Sequence, residues 1–311
     1  MRKVLVLLAV LTPQIMAAGS PAGAGEPAFW RARSATATLY IFGSIHVLDK
    51  DTKWLIPQVK KAFRDADALI LEHDASAPPG QVAAMTASRA AYYNPGVSLQ
   101  SELEPGLYKR VEKLARKLNL SMNYLDEFKP WYVSRILAAA YYKDPTYISK
   151  YGVDWYFLEQ AKEMKKPVLG LEHIEHQLDV LSGQSGDYGA ARLAEMLDHL
   201  DGRKNEITRL IAAWRAGDQP VLEALTVEKF KNDPKFYRAL LVERNRRWVR
   251  KIRNWLYDDK SYFLVAGAAH FVGPNSVIRL LRAKGVIVER LAPKGAAPHN
   301  TAGAPHKIAA R

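Results

Sequence analysis

Cysteine is missing from all 311 residues. That absence removes disulfides, a lipoprotein anchor, thiolate metal sites and a cysteine nucleophile together. Long apolar runs are missing too. The apolar stretch from Val4 to Leu11 falls short of the roughly 20 residues that a membrane-spanning helix needs, and no later stretch is long and apolar enough. Acidic residues are in short supply, with 32 Asp and Glu against 45 Lys and Arg, for a formal net charge of +13. A surplus of that sign suits nucleic acid, an anionic surface or an acidic polymer. No nucleic-acid motif accompanies it, so we read a soluble surface that favours acidic ligands only mildly. No segment repeats at a fixed period.

Apolar residues make up 48% of the chain, enough for a sizeable core. The N-terminus has the layout of a secretory signal: basic Arg2 and Lys3, the short apolar stretch, then Ala22-Gly23-Ala24 as a cleavage site. Residues 1–24 are therefore expected to leave, taking two charges with them and leaving +11. The remainder is expected to be exported, periplasmic or secreted, with no stable membrane insertion. A disulfide-free exported protein of this size suits a bacterial periplasm, because it can build a core instead. Residues 292–311 hold Ala, Pro, Gly, Lys and His without periodicity and read as a disordered tail.

Between these ends the pattern alternates. "FWRAR" and "TATLYIF" read as two strands of a hairpin, Asp51 to Ala66 as a helix, and "ALILEHD" as a short buried strand. Near the C-terminus "SYFLVAGAAH" reads as a strand, "NSVIRLLRAKG" as a helix capped near Asn275, and "VIVERL" as a strand. The middle, roughly residues 80–255, is mostly helical, interrupted by the strand "PVLGLE". The expected fold is α/β (α+β): a central mixed sheet from the N- and C-terminal halves, with a large helical insertion, over residues 27–291. Tyr and Trp in "KPWYVSRILAAAYY" read as core of that insertion.

Two strands end alike. "IFGSIHVLDK" places Gly43 and His46 at the end of an apolar run, and "LVAGAAHFVG" does the same with Gly267 and His270. A glycine there permits a tight turn or close backbone approach. A histidine just past a strand end stands where α/β sheets build ligand sites. Parallel neighbouring strands would bring the two histidines together. Glu72, inside "LILEHD", is costly to bury unless paired or metal-bound. His46, Glu72 and His270 thus form a candidate two-His-one-carboxylate site with open positions for water. His73 points to the other face of its strand. Glu172 ends "VLGLE" at the same expected edge. His173 and His176, three apart rather than four, do not make the H-E-x-x-H pattern and read as a solvated helix start. In "ERNRRWVRKIRNW", a helical projection places Leu241, Ile252 and Trp255 within about 40° of Trp248, and Arg246, Arg250 and Arg253 opposite. Arg244 and Asn245 fall near the apolar centre. An inward arginine requires a carboxylate partner or an anionic ligand.

With these motifs in view, the chain resembles the TraB/GumN family (TraB/PrgY/GumN), related to the Tiki metalloproteases and to erythromycin-esterase-like proteins. The segments that carry the resemblance run from "FWRARSATATLYIFGSIHVLDKDTKWLIPQVKKAFRDADALILEHD" through "GVDWYFLEQAKEMKKPVLGLEHIEHQLDVL", "AAWRAGD" and "LLVERNRRWVRKIRNWL" to "SYFLVAGAAHFVGPNSVIRLLRAKGVIVERL". The resemblance implies an α/β fold with a helical insertion. It also implies that Gly43, His46, Glu72, Glu172, Arg244, Asn245, Gly267 and His270 match the family's site positions, and that a divalent ion takes part, manganese or cobalt before zinc.

The leading expectation is an exported metal-dependent hydrolase, peptidase-like, acting on a peptide or small molecule, with no nucleic-acid partner. His46, Glu72 and His270 would hold the ion, Glu172 would serve as base, and Arg244 and Asn245 would face the oxyanion or a substrate carboxylate. Two alternatives stay open: a metal-free esterase-like hydrolase, in which a histidine activates water and Glu72 orients it, and a non-catalytic protein of envelope or polysaccharide work that only holds a ligand.

Overall fold

The computed structural model describes residues 25–73, 91–141, 149–182 and 187–291. The expected signal and tail, with His299 and His306, lie outside the described residues.

The elements follow in this order: β1 (Phe29–Arg33), β2 (Thr38–Ser44), α1 (Pro57–Asp65), β3 (Ala68–His73), α2 (Pro105–Lys117), α3 (Pro130–Tyr141), α4 (Val153–Glu163), β4 (Val168–Glu172), α5 (Ile174–Ser182), α6 (Asp187–Asp198), α7 (Leu200–Arg215), α8 (Gln219–Thr226), α9 (Glu243–Trp255), β5 (Ser261–Gly267), α10 (Val277–Ala283) and β6 (Ile287–Arg290), with short helical turns between some of them. Six strands form one sheet in the order β4-β3-β5-β2-β1-β6. The four strands from β4 to β2 pair in parallel, while β1 runs antiparallel to both of its neighbours. This is the expected mixed sheet from both halves of the chain, with helices entering between β3 and β5.

Both faces of the sheet are covered, as a parallel sheet requires. On one face Phe42, Phe63, Phe157, Trp214 and Phe263 join α1, α4 and α7 to the strands. On the other, Ile41, Leu264, Trp248, Ile252 and Leu281 join α9 and α10. A third cluster, with Val111, Trp131, Val133, Leu137, Leu193 and Met196, packs α2, α3 and α6 on one another. The expected core role of the "KPWYVSRILAAAYY" aromatics is met there by Trp131. Among the described residues no helix is long and apolar enough to cross a membrane.

Two boundaries differ from the sequence expectation. The first helix begins at Pro57 rather than near Asp51, because Ile56 stands before a proline and is extended (φ −88°, ψ 151°). The helix before β6 is capped by Ser276 and not Asn275: its side chain accepts the Arg279 N–H at 3.3 Å. Asn275 has another task, described below.

Candidate functional site

Parallel pairing sets the C-terminal ends of β2, β3, β4 and β5 on one edge. In register, Ser44 lies beside Gly267 and His73 beside Glu172. β2 and β5 are direct neighbours, so the two Gly-x-x-His turns leave the sheet side by side. The glycines make this possible. A Cβ on Gly43 would stand 3.3 Å from Ala268 Cα, so a side chain there would push the second turn away by a few tenths of an ångström. A Cβ on Gly267 would meet Glu72 Oε1 at 3.2 Å, His46 Nε2 at 3.4 Å and His270 Cδ2 at 3.8 Å. Gly267 therefore leaves a notch around which the three expected site residues converge.

The two histidines have opposite surroundings. His270 sits on the turn Ala268–Phe271, buried against Trp248 with ring centroids 4.1 Å apart. Its Nδ1–H donates to Asn245 Oδ1 at 2.5 Å, and Asn245 Nδ2 in turn donates to the Asn275 carbonyl at 2.8 Å. That chain fixes the tautomer and turns Nε2 toward Arg244 Nη1, 3.3 Å away. Burial pushes the imidazole pKa down to about 3, so His270 is neutral at ordinary pH. His46, by contrast, keeps 64% of its side chain exposed. Its Nδ1 faces Asp154 Oδ2 at 2.7 Å, and its Nε2 faces Glu72 Oε1 at 4.0 Å. The Asp154 carboxylate is the largest influence on His46, and against desolvation it raises the pKa to about 9.

Arg244 is the hub, with its side chain 2% exposed. A π-helical turn, Arg238–Val242, leads into α9 and carries the Leu240 carbonyl that accepts from Arg244 Nη1 at 3.1 Å. Nη2 donates to Glu72 Oε2 at 2.7 Å and to Glu172 Oε1 at 2.5 Å, and Nε donates to Glu172 Oε1 at 2.7 Å. With His270 this uses all five N–H groups of the guanidinium. The inward arginine has its carboxylate partners, two of them. Burial alone would raise the Glu72 pKa, but Arg244 wins and holds the carboxyl well below the usual range, helped by the Gly267 N–H on Oε1 at 2.8 Å.

This arrangement gives three predicted residues different tasks. Arg244 has no N–H left for an oxyanion or a substrate carboxylate. Asn245 spends both side-chain atoms on His270 and Asn275. Glu172 is buried with Oε1 clamped on Arg244, while its Oε2 has no hydrogen-bond partner among the described residues and lies 3.9 Å from Arg247 Nη2. Arg244 and Asn245 spend their hydrogen bonds on holding their neighbours. His73 is half-buried and is the register partner of Glu172, while His173, just before α5, and His176, in its first turn, are exposed.

Sequence reasoning missed Asp154, Gln177 and Trp214. Asp154 lies in the first turn of α4 and reads there as an ordinary helix-dipole carboxylate. Gln177, on α5 beside the discounted histidines, donates to Glu72 Oε2 at 3.2 Å. Trp214 donates its indole N–H to the Gly43 carbonyl at 2.8 Å and so fixes the first turn from outside the sheet.

Do these donors suit one ion? His46 Nε2 and Glu72 Oε1 do: their 4.0 Å separation lies within ~4.2 Å, twice a ligand bond of ~2.1 Å. His270 Nε2 meets a guanidinium instead, and among the described residues no group of three or more His, Asp or Glu is arranged to hold a metal. The structure thus sets two of the three expected donors, His46 Nε2 and Glu72 Oε1, facing each other at 4.0 Å.

The family model of the TraB/PrgY/gumN family matches residues 28–290. The chain belongs to that family. It is similar to the uncharacterized protein YbaP of Escherichia coli K12, 25% identical over 78% of this chain and 87% of that protein. It is similar to the metalloprotease TIKI1 of Danio rerio, 26% identical over 85% of this chain and 63% of that protein. It is also similar to the metalloprotease TIKI2 of Xenopus tropicalis, 26% identical over 80% and 57%. The chain thus spans about three fifths of the TIKI proteins it matches. No solved structure matches it.

Proposed function

We propose that this member of the TraB/PrgY/gumN family is a hydrolase of peptide bonds, with His46 and Glu72 as its working pair and Asp154 behind His46. One observation carries the reading. An exposed imidazole nitrogen and an ionised carboxylate oxygen face each other at 4.0 Å across a notch that Gly267 keeps open. That gap suits a water bridging both. Asp154 holds His46 with Nδ1–H directed at the carboxylate, leaving Nε2 to exchange a proton with that water and then with the leaving amine. Glu72 Oε1 orients the water. Arg244 holds Glu72 ionised and immobile, and the Asn245–His270 chain seals the inner wall. The names of the TIKI relatives support proteolysis as the reaction class.

A second reading adds a divalent cation, as the metalloprotease names of the TIKI relatives support, with manganese or cobalt before zinc kept from the sequence resemblance. His46 Nε2 and Glu72 Oε1 would hold it, and it would polarise a carbonyl and lower the pKa of bound water. Both readings are tested by incubating the purified chain with an end-blocked peptide library and counting new amino termini by mass spectrometry, before and after chelation and reloading with manganese, cobalt or zinc. Cleavage that survives chelation selects the metal-free mechanism, and cleavage restored only by an ion selects the second. No cleavage under any of these conditions removes the peptidase proposal. The sequence expectation of export to the periplasm remains part of the proposal, tested by fractionation of cells producing the full chain.

A further inference from the structure

Between the loop that follows β2 and one face of α4 lies a cleft of about 340 Å³, within the usual size range of ligand pockets. Trp54, Tyr151, Trp155 and Tyr156 supply aromatic walls, and Lys50 and Gln160 stand among its polar lining. The cleft is walled by the same loop and helix that carry His46 and Asp154. Trp155 follows Asp154 on the same helical turn, about 100° round. The loop that carries His46 is fixed to the helix at one end by the Val153 N–H on the Ile45 carbonyl, at 3.1 Å. At the other end Trp54 packs edge-on against Tyr156 with centroids 5.3 Å apart.

The charges lining this cleft are answered within the protein. Lys50 pairs with Asp51, Asp49 accepts from Thr52, Glu159 pairs with Lys162, and Lys150 lies over the Tyr151 ring. The polar ends of the aromatic walls are different. The indole N–H groups of Trp54 and Trp155 and the hydroxyls of Tyr151 and Tyr156 make no hydrogen bond among the described residues. Aromatic side chains combine a large apolar face with one polar handle, which buried or bound states use. Rings with free donors, in a cleft without net charge, suit a neutral chain that offers carbonyl groups and a bulky apolar side chain.

We propose that this cleft is a substrate subsite that holds an extended peptide segment and seats one large apolar side chain beside the scissile bond. The proposal rests on the peptidase reading of His46 and Glu72. The test uses the full chain carrying His46→Ala, so that no turnover is needed. It is titrated by calorimetry with an end-blocked hexapeptide of glycine and serine containing one phenylalanine, and with the same peptide containing alanine there. The phenylalanine peptide is expected to bind at least about ten-fold more tightly, a difference of about 1.4 kcal/mol. Adding Trp155→Ala removes that preference and leaves the alanine peptide within about two-fold, the side-chain contact being the part lost. Should Trp155→Ala unfold, Gln160→Trp fills the cleft and removes the preference in the same way. Equal binding of the two peptides, or a preference that survives a folded cleft variant, overturns the proposal. Preferential binding by a protein whose wild type cleaves nothing sinks the hydrolase reading and with it the substrate role, leaving only a peptide-binding cleft. Cleavage without side-chain preference overturns the subsite and leaves the hydrolase reading standing.

Discussion

The two halves of the site are built on opposite plans. Around Arg244 every donor is committed: two carboxylates, a carbonyl and an imidazole take all five N–H groups in a region sealed from solvent. Around His46 one ring nitrogen is held and the other is left facing an opening. The buried half spends its chemistry on geometry. The exposed half keeps a ring nitrogen facing the opening, and a reaction can use it once the imidazole is neutral. The lesson is that the most buried and most charged residues of a site need not be the ones that touch the substrate.

Substitutions should separate the halves. The largest effect on stability is expected from Arg244→Met, which leaves Glu72 and Glu172 buried without their partner. Breaking a buried pair in this way costs about 3–5 kcal/mol, read as a drop in the urea midpoint. His46→Ala does the opposite, since an exposed side chain contributes little to the core. Its urea midpoint should stay within about 1 kcal/mol of wild type, while peptide cleavage falls about 10²–10⁴-fold, the usual contribution of a proton-transfer group.

Next in size is Gly267→Ala. The backbone there is compatible with alanine (φ −50°, ψ 131°), so the cost arises from a methyl group placed 3.2 Å from Glu72 Oε1 and 3.4 Å from His46 Nε2. Cleavage should fall about ten-fold or more through misplacement of the pair, with a stability loss near 1 kcal/mol. An unchanged rate would show that the notch is not where the water sits.

The smallest effect is a shift in pH dependence. His46 must be neutral to take a proton or a cation, and Asp154 raises its pKa to about 9. Activity should therefore climb with pH toward that value. In Asp154→Asn the imidazole returns toward its ordinary value, and the acid limb of the rate profile moves to lower pH. Linkage gives the stability sign: a pKa raised in the folded state adds stability that is fully present below about 6.5 and is lost as pH rises through about 9. Because the side chain is largely exposed, solvent screening keeps that contribution small. An NMR titration of the His46 ring that gives the same pKa in wild type and Asp154→Asn would contradict the pairing.

The pattern of the chain made part of this visible. Apolar runs that stop on Gly43 and Gly267 mark strand ends, and parallel pairing of β2 with β5 brings their turns together without further information. Arg244 was legible as an inward charge because its helix has a clear apolar stripe centred on Trp248. Which carboxylates it meets depends on strand order, and strand order is not written in local periodicity. Asp154, Gln177 and Trp214 escaped for the same reason. Each arrives on a helix whose own pattern explains the residue locally, as a first-turn acid, a polar helix position and a core aromatic. Their roles exist only once α4, α5 and α7 pack over the strand ends. His270 Nε2 meets Arg244 Nη1 at 3.3 Å, a contact not foreseen because a histidine and an inward arginine, both foreseen, were not foreseen as neighbours.

The account rests on His46 as the working residue and on Arg244 as its scaffold. The most direct measurement is the rate at which wild type and His46→Ala release new amino termini from the same end-blocked peptide library, at matched folded concentration. The account predicts cleavage by wild type and at least ~100-fold slower cleavage by His46→Ala. Equal rates from the two proteins would contradict it.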